Sequence, residues 1–210
     1  MGFFENLGPF AVFATIAAFT PGPNNIMLAA SGANFGLRRT LPHILGVTAG
    51  FMTIVLAGGM GLGGLLTVAP FLYDTLRLFA FGFLAYMAYK IATSSPATNE
   101  NLENQIQNDS HAPTPIGFWM AYVFQWMNPK ALIVVFSAIT AYIHTGEKFI
   151  SSLVVIMIIF LIVTILSTIL WCWLGTIIAR FLSTPRAIRL FNISMALLLV
   201  GSLLPVLITA

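Results

Sequence analysis

Six apolar stretches set the limits on what this chain can fold into. They run over about 9–30, 44–68, 75–92, 116–142, 149–175 and 187–208. Each is close to the length of about 20 helical residues that crosses the hydrocarbon core of a bilayer. Charged residues and turn formers gather between them, at Asn34 to Arg39, Pro70 to Asp74, Thr93 to Pro115, His144 to Lys148 and Arg180 to Arg186. Charge is too scarce for a water-facing surface: nine Lys/Arg and six Asp/Glu in 210 residues, where a soluble domain of this size carries about 50. A soluble enzyme is excluded on that ground. Nucleic-acid binding is excluded because nine scattered cations make no basic stripe. The single cysteine, Cys172, permits no disulfide, redox pair or thiolate metal cluster, and no metal site or cofactor is expected.

The pattern therefore predicts an all-α membrane protein with six transmembrane helices. Only one connection is long, the polar and acidic run from Thr93 to Pro115, which reads as a flexible linker outside the membrane. It divides the chain into 1–93, a linker at 94–115, and 116–210. The start, Met1-Gly2-Phe3-Phe4-Glu5, lacks the basic flank of a signal peptide, so the first stretch is expected to stay as a span. Loops 1–2, 3–4 and 5–6 hold Arg38, Arg39, Lys90, Arg180, Arg186 and Arg189; the opposite side holds only Arg77 and Lys148. The excess of cations places the first set in the cytoplasm and both termini outside.

The two halves resemble each other. Span 3 opens Leu76-Arg77-Leu78-Phe79 and span 6 opens Ile188-Arg189-Leu190-Phe191, an offset of 112 (189 − 77). Span 1 is interrupted at Pro21-Gly22-Pro23-Asn24 and span 4 at Asn128-Pro129, an offset of 104 (128 − 24). Three spans per half force opposite orientations, the inverted-repeat architecture of many secondary transporters.

The interruptions carry the chemistry. Pro21 and Pro23 lack an N–H and clash with the preceding turn, which frees the carbonyls of Ala17 and Phe19. Non-helical backbone at membrane depth is tolerated only in a protein interior or a wet cavity. A second half-helix then restarts, with Gly22 or Asn24 as N-cap and Pro23 at N1, and its free N–H groups suit a carboxylate. Span 4 repeats this in Gln125-Trp126-Met127-Asn128-Pro129-Lys130. Asn128 is the expected N-cap, and Pro129 frees the carbonyl of Gln125. Lys130 is the one charge deep inside a span, which costs about 2.5–3.5 kcal/mol on insertion scales. A bound anion would offset that cost. The substrate-binding candidates are therefore Pro21, Gly22, Pro23, Asn24, Asn25, Gln125, Asn128, Pro129 and Lys130. The bland alternative is that the prolines are plain kinks, the asparagines seal carbonyls and the lysine snorkels.

Other features read first as packing. Gly32 and Gly36, and Gly46 and Gly50, have small-xxx-small spacing, and Gly58 to Gly64 is glycine-rich; such faces let helices approach closely and leave room for a homodimer. His43 is read equally as an interfacial residue beside Arg38 and Arg39 and as a proton-coupling candidate, since imidazole changes charge near neutral pH. Lys130, cycling between charged and neutral forms, is the other. His111 and His144 fall in loops. Trp126 lies beside the second interruption, where it would line a cavity or pack.

Thr20-Pro21-Gly22-Pro23-Asn24-Asn25, the glycines from Gly36 through span 2, and Asn128-Pro129-Lys130 together resemble the lysine exporter superfamily (LysE/RhtB), in its homoserine/threonine exporter branch. The likeness covers nearly the whole chain. Within the branch it is most similar to cysteine/O-acetylserine exporters, which share TPGPNNI, here Thr20 to Ile26. The resemblance implies a bacterial inner-membrane exporter of small amino acids driven by the proton motive force. Its motif residues map onto Pro21, Gly22, Pro23, Asn24, Asn128, Pro129 and Lys130. Many members carry Asp where this chain has Asn24, so no carboxylate lies deep in a span here; Glu5 and Asp74 are near span ends.

The expected function is secondary export of a zwitterionic amino acid, with protons as the coupling ion. The alternatives are a passive amino-acid channel and a uniporter or exchanger. A channel should show a repeated polar filter ring, and an enzyme needs paired acids, a metal cluster or a nucleophile–base pair. None is visible.

Overall fold

Pro21 and Pro23 stop the first helix where the sequence places the break. The computed structural model describes residues 7–62, 70–94, 114–143, 146–182 and 184–202. All its regular elements in those residues are helical. They are α1 (Leu7–Phe19), α2 (Pro23–Ala57), a π-helical turn Gly58–Leu62, α3 (Pro70–Ala92), α4 (Phe118–Met127), α5 (Pro129–Tyr142), a 3-10 turn Gly146–Lys148, α6 (Phe149–Phe181) and α7 (Pro185–Gly201). Most of the linker, both histidines His111 and His144, Glu5, Gly63 and Gly64 lie outside the described residues, as do the side chains of Asp74 and Arg77.

The expected loop from Asn34 to Arg39 is instead helical on both sides of one residue. Gly36 has φ 75° and ψ 168°, a left-handed conformation that glycine adopts without a Cβ clash. Across it, the Ser31 and Thr40 hydroxyls lie 3.0 Å apart. Residues nine apart in a straight helix are separated by about 13 Å, so α2 turns sharply at Gly36 into two arms, 23–35 and 37–57. Thr40 Oγ1 also donates to the Gly36 carbonyl at 2.8 Å, which secures the turn. Gly36 therefore serves a reversal rather than the packing face expected of it. The expected break at Pro70 to Asp74 is also helical, because Pro70 sits at the first position of α3, where its missing N–H costs nothing.

Two helical runs, Pro23–Gly61 and Gly146–Phe181, are long and apolar enough to cross a membrane. The α4 and α5 pair passes the same test as one span bent by 63°. Ile133, Ile150, Ile158 and Leu166 are exposed along these elements, an apolar surface fit for lipid.

The first arm of α2 packs on α6 through small residues. A Cβ on Gly32 would collide with the Cys172 carbonyl, and one on Gly175 with the Ala29 carbonyl. Gly46 and Gly50 of the second arm do the same for α4: a Cβ on Gly50 would lie 2.7 Å from the Tyr122 carbonyl oxygen. These glycine faces are thus taken up within the chain. Toward the start of α1, Phe10 meets the edge of Phe160 at 5.0 Å between ring centroids, and Phe51 meets Phe160 at 5.2 Å.

Candidate functional site

The two helix breaks face each other across one cavity. α1 ends at Phe19, Thr20 to Gly22 are non-helical, and α2 begins with Gly22 as N-cap and Pro23 at N1. The second break is a single residue. Asn128 has extended backbone, φ −80° and ψ 107°, and its side-chain oxygen accepts from the Lys130 N–H at 3.1 Å, which caps α5. Pro129 occupies N1. Both caps are the ones the sequence indicates.

Lys130 joins the breaks. Its Nζ donates to the Thr20 carbonyl oxygen at 2.6 Å, 110 residues away in sequence. Gly22 makes room for it: a Cβ there would lie 3.0 Å from Lys130 Cδ and 3.2 Å from Nζ. The freed carbonyls are not quite those expected. Side chains bond Ala18 and Thr20 rather than Ala17 and Phe19. Asn25 Nδ2 donates to both, at 2.9 Å each, and Ser167 Oγ donates to Ala18 at 2.7 Å. The Gln125 carbonyl accepts from the Asn128 N–H at 3.1 Å, so it is not free either.

A chain of amides completes the wall. Asn24 Nδ2 donates to Gln125 Oε1 in a short bond. Asn128 Nδ2 donates to the same oxygen at 3.3 Å, and Gln125 Nε2 donates to the Val47 carbonyl at 3.2 Å. The network therefore ties α1, both arms of α2, α4, α5 and α6 around the cavity. One buried acceptor in it has no partner, Asn24 Oδ1. An unpaired buried acceptor carries a desolvation cost of about 1–3 kcal/mol, and an ammonium group would remove it.

The cavity holds about 70 Å³ and is lined by Gly22, Pro23, Asn24, Asn25, Gln125, Asn128 and Lys130, among others. Of the sequence candidates, Pro21 and Pro129 shape the breaks without lining it. Sequence reasoning missed Thr164, Ser167 and Thr168 of α6, which also line it. Their i, i+3, i+4 spacing puts them on one helix face, and that polar stripe inside an apolar run was the available signal. Lys130 is the cation among the described lining residues, and Asn24, which also lines the cavity, carries the buried, unpartnered acceptor Oδ1. Such a site suits a small molecule bearing both an anionic and a cationic group.

His43 is elsewhere. It is fully buried rather than interfacial, it does not line the cavity, and neither ring nitrogen has a hydrogen-bond partner. Trp126 packs beside the core around Phe10 and Phe160 rather than lining the cavity. Replacing His43 by Leu removes two unsatisfied nitrogens at similar volume. It is expected to stabilise the protein by about 1 kcal/mol, read as a higher melting temperature in detergent; a lower one would mean that the ring has partners in the dominant state.

The Cysteine/O-acetylserine efflux protein of Salmonella typhimurium is 26% identical over 194 residues, 92% of this chain and 93% of that protein. The protein of the same name from Escherichia coli shows the same identity and coverage. No solved structure matches. The family model described as LysE type translocator matches residues 15–207, and the chain belongs to that family.

Proposed function

We propose that the protein exports small amino acids or their derivatives across the bacterial inner membrane, with cysteine and O-acetylserine ahead of homoserine and threonine as substrates. The observation that carries this reading is the pairing of Lys130 with the unpartnered Asn24 Oδ1 in one cavity between two broken helices. The substrate carboxylate takes the Lys130 ammonium and the N–H groups that open the half-helices. Its ammonium takes Asn24 Oδ1. Asn25 and Asn128 brace the breaks. The relatives named as efflux proteins support the same substrate class.

In this reading the chain makes six spans. Span 1 is α1 with the first arm of α2, span 2 is the second arm, span 3 is α3, span 4 is α4 with α5, and spans 5 and 6 are α6 and α7. The sharp turn at Gly36 supports separating spans 1 and 2. Spans 1–3 and 4–6 form inverted repeats, with broken helices at matching places, and rock against each other around the cavity. Both termini lie outside.

Charge conservation constrains the proton. If Lys130 holds a carboxylate only as an ammonium, and stays charged on the empty return, it carries no net proton in exchange. Antiport then needs a second group that crosses protonated when the cavity is empty. His43, fully buried in the second arm of α2, is that group in our reading. Its Leu variant is then expected to export without responding to an imposed pH gradient at clamped voltage. A full response in that variant would remove His43 from coupling. Export itself is tested by overexpressing the chain and profiling the amino acids that accumulate outside the cells. Excess cysteine and O-acetylserine are expected, and an unchanged profile would contradict the reading.

A further inference from the structure

A second cavity lies further along the first arm of α2. It holds about 560 Å³, against about 70 Å³ for the cavity between the breaks. The larger falls within the range of drug-sized ligand sites, about 300–1,000 Å³. Met27, Met87, Ile91 and Ile116 give it apolar surface, and Ser31, Asn34 and Lys90 lie among its polar lining residues. Lys90 stands in the last turn of α3, with Nζ 5.8 Å from the centre of the Tyr86 ring. Among the described residues, none that lines the cavity is acidic. A third cavity, against Ile26, Leu197 and Leu198, has no charged residue among its described lining.

A tie of amide hydrogen bonds runs beside the second cavity. Asn34 and Asn192 exchange amide hydrogen bonds at 2.8 and 3.0 Å, and Asn192 also donates to the Ser94 carbonyl at 2.8 Å. This joins α7 to the first arm of α2 and to the end of α3, whose Asn34 and Ser94 line the cavity. The two sites share that arm. Asn24 lines one cavity and Met27 the other, a single helical turn apart. Lys90 belongs to the cation-rich side that the charge distribution assigns to the cytoplasm.

We propose that this cavity is a cytoplasmic antechamber. It holds a small carboxylate-bearing substrate on Lys90, with its apolar part against Met27 and Ile91 and its ammonium toward the water-filled mouth, before the substrate passes along the arm to Lys130 and Asn24. The proposal rests on the export reading above and adds a site in series with it. A single cation beside apolar side chains also fits a phospholipid phosphate, so the test separates the two anions.

The full-length protein is reconstituted in liposomes of phosphatidylethanolamine and phosphatidylglycerol, and flux of O-acetyl-L-serine is measured as a function of its concentration at the cytoplasmic face. Lys90→Gln is expected to raise the half-saturating concentration about tenfold, equivalent to about 1.4 kcal/mol, with the maximal rate within twofold of the native value. Lys90→Arg is expected to restore it. A half-saturating concentration unchanged by Lys90→Gln overturns the proposal. So does one that follows the phosphatidylglycerol content and ignores the substitution, which assigns the site to lipid phosphate. Equilibrium dialysis of labelled O-acetyl-L-serine gives an independent reading. Two molecules per native chain and one per Lys90→Gln chain are expected, and equal stoichiometry overturns the proposal. Native protein that binds two but moves none would leave the antechamber standing and remove the export reading instead.

Discussion

Lys130→Met is expected to lower substrate export about 100-fold or more while leaving the protein folded. Lys130 spans the two breaks, with its backbone N–H on the Asn128 cap and its Nζ on the Thr20 carbonyl. A carboxylate bound beside it in a low-dielectric cavity loses its charge partner when the amine is removed, and truncating one member of such a pair costs about 2–5 kcal/mol. The fold loses less. The bond from the charged amine to Thr20 contributes about 1.5–3 kcal/mol, and removing a partly buried cation recovers part of its desolvation cost. Asn25 still bonds the Thr20 carbonyl, so the break stays sealed. Transport in vesicles and thermal stability in detergent therefore separate: the first collapses and the second moves little. If export survives in the Met variant, Lys130 is only a brace.

Gly175→Val is expected to have the opposite signature, loss of the fold itself. Even the first added carbon on Gly175 runs into the Ala29 carbonyl, and Gly32 meets the Cys172 backbone in the same helix pair. The obstruction is backbone on both sides, so no side chain can rotate away. Overpacking a core costs about 1–3 kcal/mol where neighbours can adjust, and here two helices must part. A destabilisation of about 3 kcal/mol corresponds to a fall in melting temperature of about 6–12 °C for a chain of this size. Gly82→Ala is the control. Nothing lies within 4 Å of a Cβ there, and alanine in a helix interior is favoured over glycine by about 0.5–1 kcal/mol. Equal stability of the Val variant and the native protein would mean that α2 and α6 do not pack this closely.

The parts of the site legible in the sequence are those set by local covalent chemistry. Proline has no N–H, so Pro21, Pro23 and Pro129 announce the breaks, and Asn128 before Pro129 announces a cap. The parts that were not legible depend on distant partners. Thr20, which precedes Pro21, supplies the carbonyl that Lys130 bonds, and nothing local marks it. Asn24 and Asn25 look alike in sequence, yet Asn25 braces carbonyls and Asn24 keeps a buried, unpartnered acceptor. The break between spans 1 and 2 was legible at Asn34 to Arg39, where turn formers and charges gather, but not its form: the reversal takes one residue, Gly36, and the helix continues on both sides. His43 looks interfacial beside two arginines, but the fold buries it completely.

The most direct test of the central claim, that the cavity between the breaks is a carrier site for a small amino acid, is counterflow in proteoliposomes. Vesicles loaded with unlabelled O-acetyl-L-serine are exposed to a trace of the labelled compound. A carrier with one alternating site gives transient, saturable accumulation of label above its equilibrium level, and Lys130→Met abolishes it. Flux that rises linearly with concentration, shows unitary currents and ignores Lys130 would contradict the account.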